Sequence, residues 1–365
     1  MSEQDISDIG HSYDPKWINR AYLPLRIGLK RNFGEVYQEG KIEKGSNIFV
    51  MHHKSYWDPL ILAFAYYTED SGNLLEDNER DVPGISYQDS SDKNNEGESK
   101  GLKFAAGDDV VGNGLSKNLL NKLGCFEVKR GNGKENGLGL ELIKYMGDQL
   151  EDYGVLIFPE IHSNGEEDRT GRSLNGKVGE FSPLYTLAAK GNDDVQIVPA
   201  DITYRELPED YALSNEIKKR SERNLGRIGS FLEGKKEKWR AFFSKKNPAY
   251  LTIGDPLEYN GENRELNKEV QERVLDLIKP TPANLVAGAM SNLEVQFFDS
   301  ELKEEVETLY NSLREKEVDT SILESMDSLN EVIEEGKEIL SAGSKERFDG
   351  SLIEFYENQI SHLLE

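Results

Sequence analysis

The sequence predicts an α/β fold, in which a β-sheet is covered by helices on both faces, followed by a helical C-terminal subdomain. Between residues 47 and 278, short β-branched or aromatic segments bounded by turn residues alternate with segments of helical periodicity. Such alternation is typical of a sheet that is buried on both faces. After Pro280 the strand signals cease, and apolar residues recur at helical spacing.

The individual elements follow from these patterns. The predicted strands are residues 47–51, 102–106, 126–129, 155–158, 196–204 and 250–253. The predicted helices of the α/β part are residues 59–67, 115–123, 137–150, 182–190 and 264–278. Three more amphipathic helices are predicted from apolar sets that begin with Leu302, Ile322 and Leu352. We expect these three helices to pack on the α/β part, with a second chain as the alternative partner.

The chain is predicted to have two domains. Residues 1–285 form the α/β domain, and residues 286–365 form the C-terminal subdomain, in which Ser291 to Glu365 contain 20 acids and 6 bases. Residues 69–100 interrupt the first domain with ten acids, three bases and a single aromatic residue. Because such a composition buries too little apolar surface to fold, it predicts a flexible, solvated insertion.

Net charge and cysteine content argue against some classes of function and indicate the cellular compartment. A formal net charge of -24 argues against nucleic-acid binding, which needs a basic face. Cys125 is the only cysteine, which fits a reducing compartment. No apolar run approaches the roughly 18 to 20 residues that span a bilayer, and the N-terminus lacks the features of a secretory signal. We therefore expect a cytoplasmic protein, either soluble or bound to the membrane surface.

The stretch VMHHKSYWDPLIL, from Val50 to Leu62, places two of the five histidines where a strand gives way to a helix. A strand ending at Met51 would bring His53 to a sheet edge, where the sites of open α/β folds lie. Asp58 can turn back to bind one imidazole nitrogen, so that the other nitrogen accepts a proton. The pair is suited to a general base that deprotonates an alcohol.

A purely structural interpretation of the same stretch is also open. Ser55 and Asp58 have the spacing of a capping box, and Asp58 alone could be the N-cap before Pro59. A metal site is not predicted, because adjacent strand residues point to opposite faces and no HExxH motif or cysteine cluster accompanies the histidines. The stretch by itself leaves catalysis and capping as alternatives.

Four blocks, in order along the chain, resemble the motifs of the glycerolipid acyltransferases. They are the HX4D box from His53 to Asp58, LGCFEVKRG from Leu123, VLIFPEIHSNGEEDRTGRS from Val155 and VQIVPADITYREL from Val195. The branch that the chain resembles most is the one acting on glycerol 3-phosphate or dihydroxyacetone phosphate. The segment IKPTPANLVAGAMSNL, from Ile278, resembles a segment of that branch as well.

The resemblance implies a mixed sheet flanked by helices and a specific reaction. A fatty acyl group would pass from the thioester of coenzyme A or acyl carrier protein to a hydroxyl of glycerol 3-phosphate, with no bound cofactor or metal. His53 would act as general base, and Asp58 would stabilise the imidazolium that forms. Lysophosphatidic acid and dihydroxyacetone phosphate are the alternative acceptors.

The resemblance also implies a set of substrate-binding residues. They are Ser55, Lys129, Arg130, Glu160, Arg169, Arg172 and Pro199. The third block departs from the family pattern, because Ile161, His162 and Ser163 stand where Gly, Thr or Gly, and Arg are expected. We expect Arg169 or Arg172 to replace the missing arginine. A degenerate family member that binds lipid phosphates as a scaffold is a further alternative.

One segment of this acidic chain is basic. Between Glu216 and Lys246 there are 11 bases and 4 acids, with Trp239, Phe242 and Phe243 among them. This combination fits binding to anionic lipid headgroups. Binding to the phosphates of coenzyme A, binding to an acidic carrier protein, or balancing an acidic neighbour within the fold are alternatives. With the acyltransferase resemblance, it predicts a peripheral protein on the inner face of the cell membrane.

Overall fold

The structure is a computed structural model. It describes residues 15–43, 45–55, 57–68, 72–76, 101–107, 124–128, 138–150, 152–161, 180–181, 184–190, 194–208, 247–259, 261, 263–293, 298–341 and 350–364. The predicted helix at 115–123 and the basic segment between Glu216 and Lys246 lie outside these residues.

Nine of the eleven described strands form a mixed sheet, as predicted, and the other two pair with each other. The strands are β1 Val36–Glu39, β2 Asn47–Val50, β3 Gly72–Asn73, β4 Leu102–Gly107, β5 Cys125–Val128, β6 Gly154–Ile157, β7 Glu160–Ile161, β8 Glu180–Phe181, β9 Gln196–Tyr204, β10 Ala249–Ile253 and β11 Leu257–Glu258. The order in the main sheet is β3-β1-β10-β9-β2-β6-β4-β5, with β11 paired to β9, and β7 and β8 form the separate pair. Strands β9, β2, β6, β4 and β5 run parallel to one another, whereas β10 is antiparallel to β9. The carboxyl ends of the five parallel strands therefore share one edge of the sheet.

The described helices cover both faces of this sheet. They are α1 Pro15–Asn32, α2 Asp58–Thr68, α3 Leu138–Leu150, α4 Leu184–Ala189, α5 Asn263–Asp276, α6 Pro282–Asn292, α7 Asp299–Glu315, α8 Ser321–Glu324, α9 Leu329–Leu340 and α10 Gly350–Leu364. None of these described helices is long and apolar enough to cross a membrane.

Strand β2 shows how the two faces are divided. Ile48 and Val50 pack in a cluster with residues of α3, α4 and α5. Phe49 and Met51 belong to a larger cluster with α1, α2, α6 and the C-terminal helices. Since alternate residues of a strand point to opposite faces, a run of apolar residues is what a strand covered on both sides requires.

Helix α6 joins the sheet to the C-terminal helices. All of its residues from Pro282 to Met290 are buried, and it packs against α7, α9 and α10. Its N-terminus is closed by a capping box, in which the Thr281 side chain accepts from the Asn284 amide. The predicted boundary after residue 285 falls inside this helix, and the division into domains stays a prediction.

Some elements differ from the predictions. The sequence patterns did not indicate α1, β1 or α6. The second C-terminal apolar set is divided between α8 and α9, because the side chain of Ser328 accepts from the Glu331 amide and begins a new helix there. At the start of the predicted insertion at 69–100, β3 pairs with β1; residues 77–100 lie outside the described part.

Candidate active site

The structure brings His53 and Asp58 together just beyond the carboxyl end of β2. His53 Nδ1 lies 3.1 Å from Asp58 Oδ2. The His53 side chain keeps 12% of its surface exposed, whereas that of Asp58 keeps 1%. The imidazole is therefore partly accessible, and the carboxylate behind it is buried.

Four donors surround the Asp58 carboxylate. Besides His53, the backbone amides of Lys54 and Ser55 donate to Oδ2 at 2.7 and 2.8 Å. The Tyr204 hydroxyl donates to Oδ1 at 2.5 Å from the neighbouring strand β9. A carboxylate with this many directed bonds has one position and one orientation, and it holds the imidazole that it contacts.

Asp58 has both predicted roles in this structure, because it caps the helix and also contacts His53. Asp58 accepts from the Ser55 amide, which is one half of a capping box. The Ser55 hydroxyl, predicted to bind substrate, is buried and accepts from the Trp57 amide at 3.1 Å. The helix start thus fixes the carboxylate that contacts His53, so the two alternatives posed by the sequence are not exclusive.

A buried ion pair supports the turn from the other side. Lys54 Nζ lies 2.7 Å from both carboxylate oxygens of Asp201 and donates to the Ile202 carbonyl at 3.2 Å. Thr203 Oγ1 donates to the same carboxylate at 3.1 Å. Burial raises the pKa of the Asp201 carboxyl, and the Lys54 ammonium opposes that rise. These bonds attach the residue next to His53 firmly to β9.

Lys54 and Asp201 were not predicted to be part of the site, and Tyr204 was indicated only as a member of the fourth block, VQIVPADITYREL. The available signal was the presence of polar residues inside β9, a strand that is otherwise apolar. A polar side chain in a strand buried on both faces needs a partner. Here that partner is the HX4D turn.

The region that contains this site is similar to a known protein family. Residues 34–203 match the family model described as Acyltransferase, and this span includes His53, Asp58, Lys54 and Asp201. This part of the chain is therefore similar to the acyltransferases. The match supports the predicted resemblance to acyltransferases and the predicted reaction class, which is acyl transfer. It does not identify the acceptor.

Among solved structures, one that is similar to this chain is the crystal structure of the 1-acyl-sn-glycerophosphate (LPA) acyltransferase PlsC from Thermotoga maritima. The two chains share 15% identity with a TM-score of 0.38, over 72% of this chain and 80% of that chain. None of the curated proteins compared with this chain matches it. The similarity to acyltransferases therefore rests on the family match over residues 34–203.

The shared strand edge brings further parts of the matched region, residues 34–203, near His53. Phe158 follows β6, the parallel neighbour of β2, and its ring centroid lies 4.4 Å from that of His53. Two residues later the backbone of Glu160 enters β7, which pairs with β8. The chain position of Glu160 is thus at the same edge as the His53–Asp58 pair.

Pro199, another predicted substrate-binding residue, is buried within the sheet. It is a buried residue of β9 in register with Val50. Its carbonyl accepts from the Gly254 amide at 2.8 Å. A Cβ at Gly254 would lie 2.9 Å from Pro199 Cγ, so the two residues are in close contact. Pro199 therefore packs beneath the edge on which His53 sits.

The four predicted phosphate-binding cations lie outside the described residues. Strand β5 ends at Val128, and Lys129 and Arg130 come next in the sequence. Arg169 and Arg172 belong to the segment between β7 and β8, which is likewise outside. Their roles stay predictions.

Proposed function

We propose that the chain transfers a fatty acyl group from the thioester of coenzyme A or acyl carrier protein to the hydroxyl of glycerol 3-phosphate. The observation that carries this proposal is the 3.1 Å contact between His53 Nδ1 and Asp58 Oδ2 at the sheet edge of a region that is similar to the acyltransferases. A histidine held in this way is the arrangement that a general base requires.

The proposed mechanism needs no covalent enzyme intermediate, because a thioester is already activated. With Nδ1–H donating to Asp58, the Nε2 atom of His53 takes the proton from the acceptor hydroxyl. The oxygen then forms a bond to the carbonyl carbon, the carbon–sulfur bond breaks, and the proton passes to the departing thiolate. Asp58 stabilises the transient imidazolium, while its other three donors keep it in place.

The environment of His53 supports a directed proton transfer. The Phe158 ring lies against the imidazole at an interplanar angle of 36° and restricts its rotation. The partial exposure of His53 leaves it accessible to a substrate. Positioning of this kind turns an encounter between two reactants into a near-unimolecular step.

The choice of glycerol 3-phosphate rests on the sequence. Lys129, Arg130, Arg169 and Arg172 supply cations that suit a phosphate, and arginine can bind one through two parallel hydrogen bonds. The segment that includes α6 resembles the branch of the family acting on glycerol 3-phosphate or dihydroxyacetone phosphate. Lysophosphatidic acid is the second candidate, because it carries the same phosphate.

Thiol release from acyl-coenzyme A tests the proposal directly. The purified protein is assayed with glycerol 3-phosphate, dihydroxyacetone phosphate or lysophosphatidic acid at one fixed donor concentration. We expect the highest turnover with glycerol 3-phosphate and a loss of about 10²–10⁴-fold in His53→Ala, the usual contribution of a general base. Acceptor-independent release, or full activity in His53→Ala, would instead favour a scaffold protein or a different base.

A further inference from the structure

Helix α1 presents apolar side chains to solvent. Leu23 and Ile27 are 56% and 58% exposed, and they lie one turn apart on the same face. Leu29 and Asn32, on the other side of the helix, are 0% and 3% exposed, and Leu29 belongs to the hydrophobic core. Within the described residues, Phe298 is the one other large hydrophobic side chain with comparable exposure.

The charge of α1 is opposite to that of the whole chain. Its sequence PKWINRAYLPLRIGLKRN contains five bases and no acid, in a chain with a net charge of -24. Arg20 lies three residues before Leu23, and Lys30 and Arg31 lie three and four residues after Ile27. Because residues at these spacings share a helix face, exposed cations flank the apolar pair at both ends.

We propose that this docking face, made of Arg20, Leu23, Ile27, Lys30 and Arg31, binds an anionic lipid surface. Apolar residues flanked by arginine and lysine on one helix are suited to the interface, where the apolar groups enter the headgroup layer and the cations meet lipid phosphates. The acidic remainder of the molecule is repelled by the same surface. The protein would therefore approach the membrane in one orientation, with α1 towards the lipid.

Charge argues against the simplest alternative occupant of the face. A second copy of the chain, docked through its own α1, would bring two basic helices together without neutralising either one. An anionic bilayer neutralises the cations and takes up the two apolar side chains at once. The predicted basic segment between Glu216 and Lys246 lies elsewhere in the sequence, and the proposal for α1 does not depend on it.

A layer of packed aromatic side chains lies between α1, which carries the docking face, and the proposed catalytic pair. Phe33, just after α1, meets the Trp57 ring edge-on at 5.5 Å between ring centroids. Its centroid lies 5.6 Å from that of Tyr204, whose hydroxyl bonds to Asp58. If the proposed acyl transfer is correct, docking through α1 places the His53–Asp58 pair close to the bilayer that receives the product.

Vesicle sedimentation tests the docking without any turnover, so it stands even if the proposed reaction fails. The full-length protein is mixed with vesicles of phosphatidylcholine, or of phosphatidylcholine and phosphatidylglycerol. We expect binding to the anionic vesicles only, weakened by salt. The double variant Leu23→Ser/Ile27→Ser should bind about tenfold more weakly. Lys30→Gln and Arg31→Gln should each weaken binding about fivefold.

Phe298→Ser is the matched control. It also removes an exposed large hydrophobic side chain, but at the start of α7, which has acids in its first turn; vesicle binding should not change. Equal binding to both vesicle types, or unchanged binding by the double variant, would overturn the proposal. A lower melting temperature or a change of oligomeric state in the double variant, with vesicle binding intact, would show that protein covers this face.

Discussion

Lys54 and Asp201 form a buried ion pair that ties the turn containing His53 to strand β9. Their side chains are 5% and 1% exposed, and Lys54 Nζ contacts both carboxylate oxygens at 2.7 Å. Removing one member leaves the other charge buried without compensation. The pair therefore affects both the stability of the fold and the position of the proposed base.

We expect Lys54→Met to lower the free energy of unfolding by about 3–5 kcal/mol, as in other broken buried pairs. Urea denaturation measures this loss. The control is Lys268→Met, which breaks an exposed pair with Glu272 and should change stability by at most about 0.5 kcal/mol. Lys54→Met/Asp201→Leu removes both charges and should recover most of the loss. A double variant as unstable as the single one would contradict the role given to the uncompensated charge.

Tyr204→Phe tests the support of the carboxylate. This change removes the hydroxyl that donates to Asp58 Oδ1 and leaves the aromatic ring in place. Because a buried acceptor then loses a bond of about 1–3 kcal/mol, we expect kcat to fall roughly tenfold while KM stays nearly constant. Tyr310→Phe on α7 is the control and should leave kcat unchanged. An effect on KM alone would assign Tyr204 to substrate binding.

Gly336→Ala tests the contact between α9 and α6. A Cβ at this position would lie 2.5 Å from Val286 Cγ2 and 2.6 Å from the Pro282 carbonyl oxygen, so the helices would have to separate. We expect a loss of about 1–3 kcal/mol in the free energy of unfolding. Gly147→Ala in α3 is the control, because its Cβ would have its nearest neighbour at 3.5 Å. Since alanine favours helix, that variant should gain up to about 1 kcal/mol.

The free energy of unfolding should depend on pH because the pKa of Lys103, on β4, changes when the protein folds. Its ammonium contacts the Gln149 side chain and lies 4.4 Å from the Tyr153 ring centroid, and burial lowers its pKa from 10.5 to about 8. Between these pH values the unfolded state holds the proton and the folded state does not. The free energy of unfolding therefore rises with pH in this window, with a slope of at most about 1.4 kcal/mol per pH unit.

Urea midpoints between pH 7.5 and 10 measure that rise. Above pH 10 the trend reverses, because burial raises the pKa of Tyr145 to about 12 and the unfolded chain loses that proton first. Lys103→Met should abolish the rise below pH 10, whereas Lys268→Met should retain it. A rise that persists in Lys103→Met would assign it to another group.

Local patterns were enough to predict most of the central sheet. Strand β9 has the predicted bounds, because a long β-branched run between turn residues leaves few alternatives. Strand β1 was missed, since VYQE is short and half polar. Helix α1 was missed because Pro24 lies inside it and interrupts the expected pattern.

The site was predictable where its residues are close in sequence. His53 and Asp58 are five residues apart, so their spacing alone indicated a contact. The supporting contacts join residues that are far apart in sequence. Lys54 and Asp201 are 147 positions apart, and Asp58 and Tyr204 are 146 positions apart. No local periodicity links positions so far apart; only the parallel pairing of β2 with β9 brings them together.

The burial of α6 has a consequence for attempts to shorten this protein. Nine consecutive residues of that helix are buried, and α7, α9 and α10 pack against it. Deletion of the acidic C-terminal helices would expose the apolar residues of α6 to water. The truncated protein would aggregate instead of forming a smaller active enzyme. The last four described helices are thus an integral part of the folded structure, and a shortened protein would have to retain them.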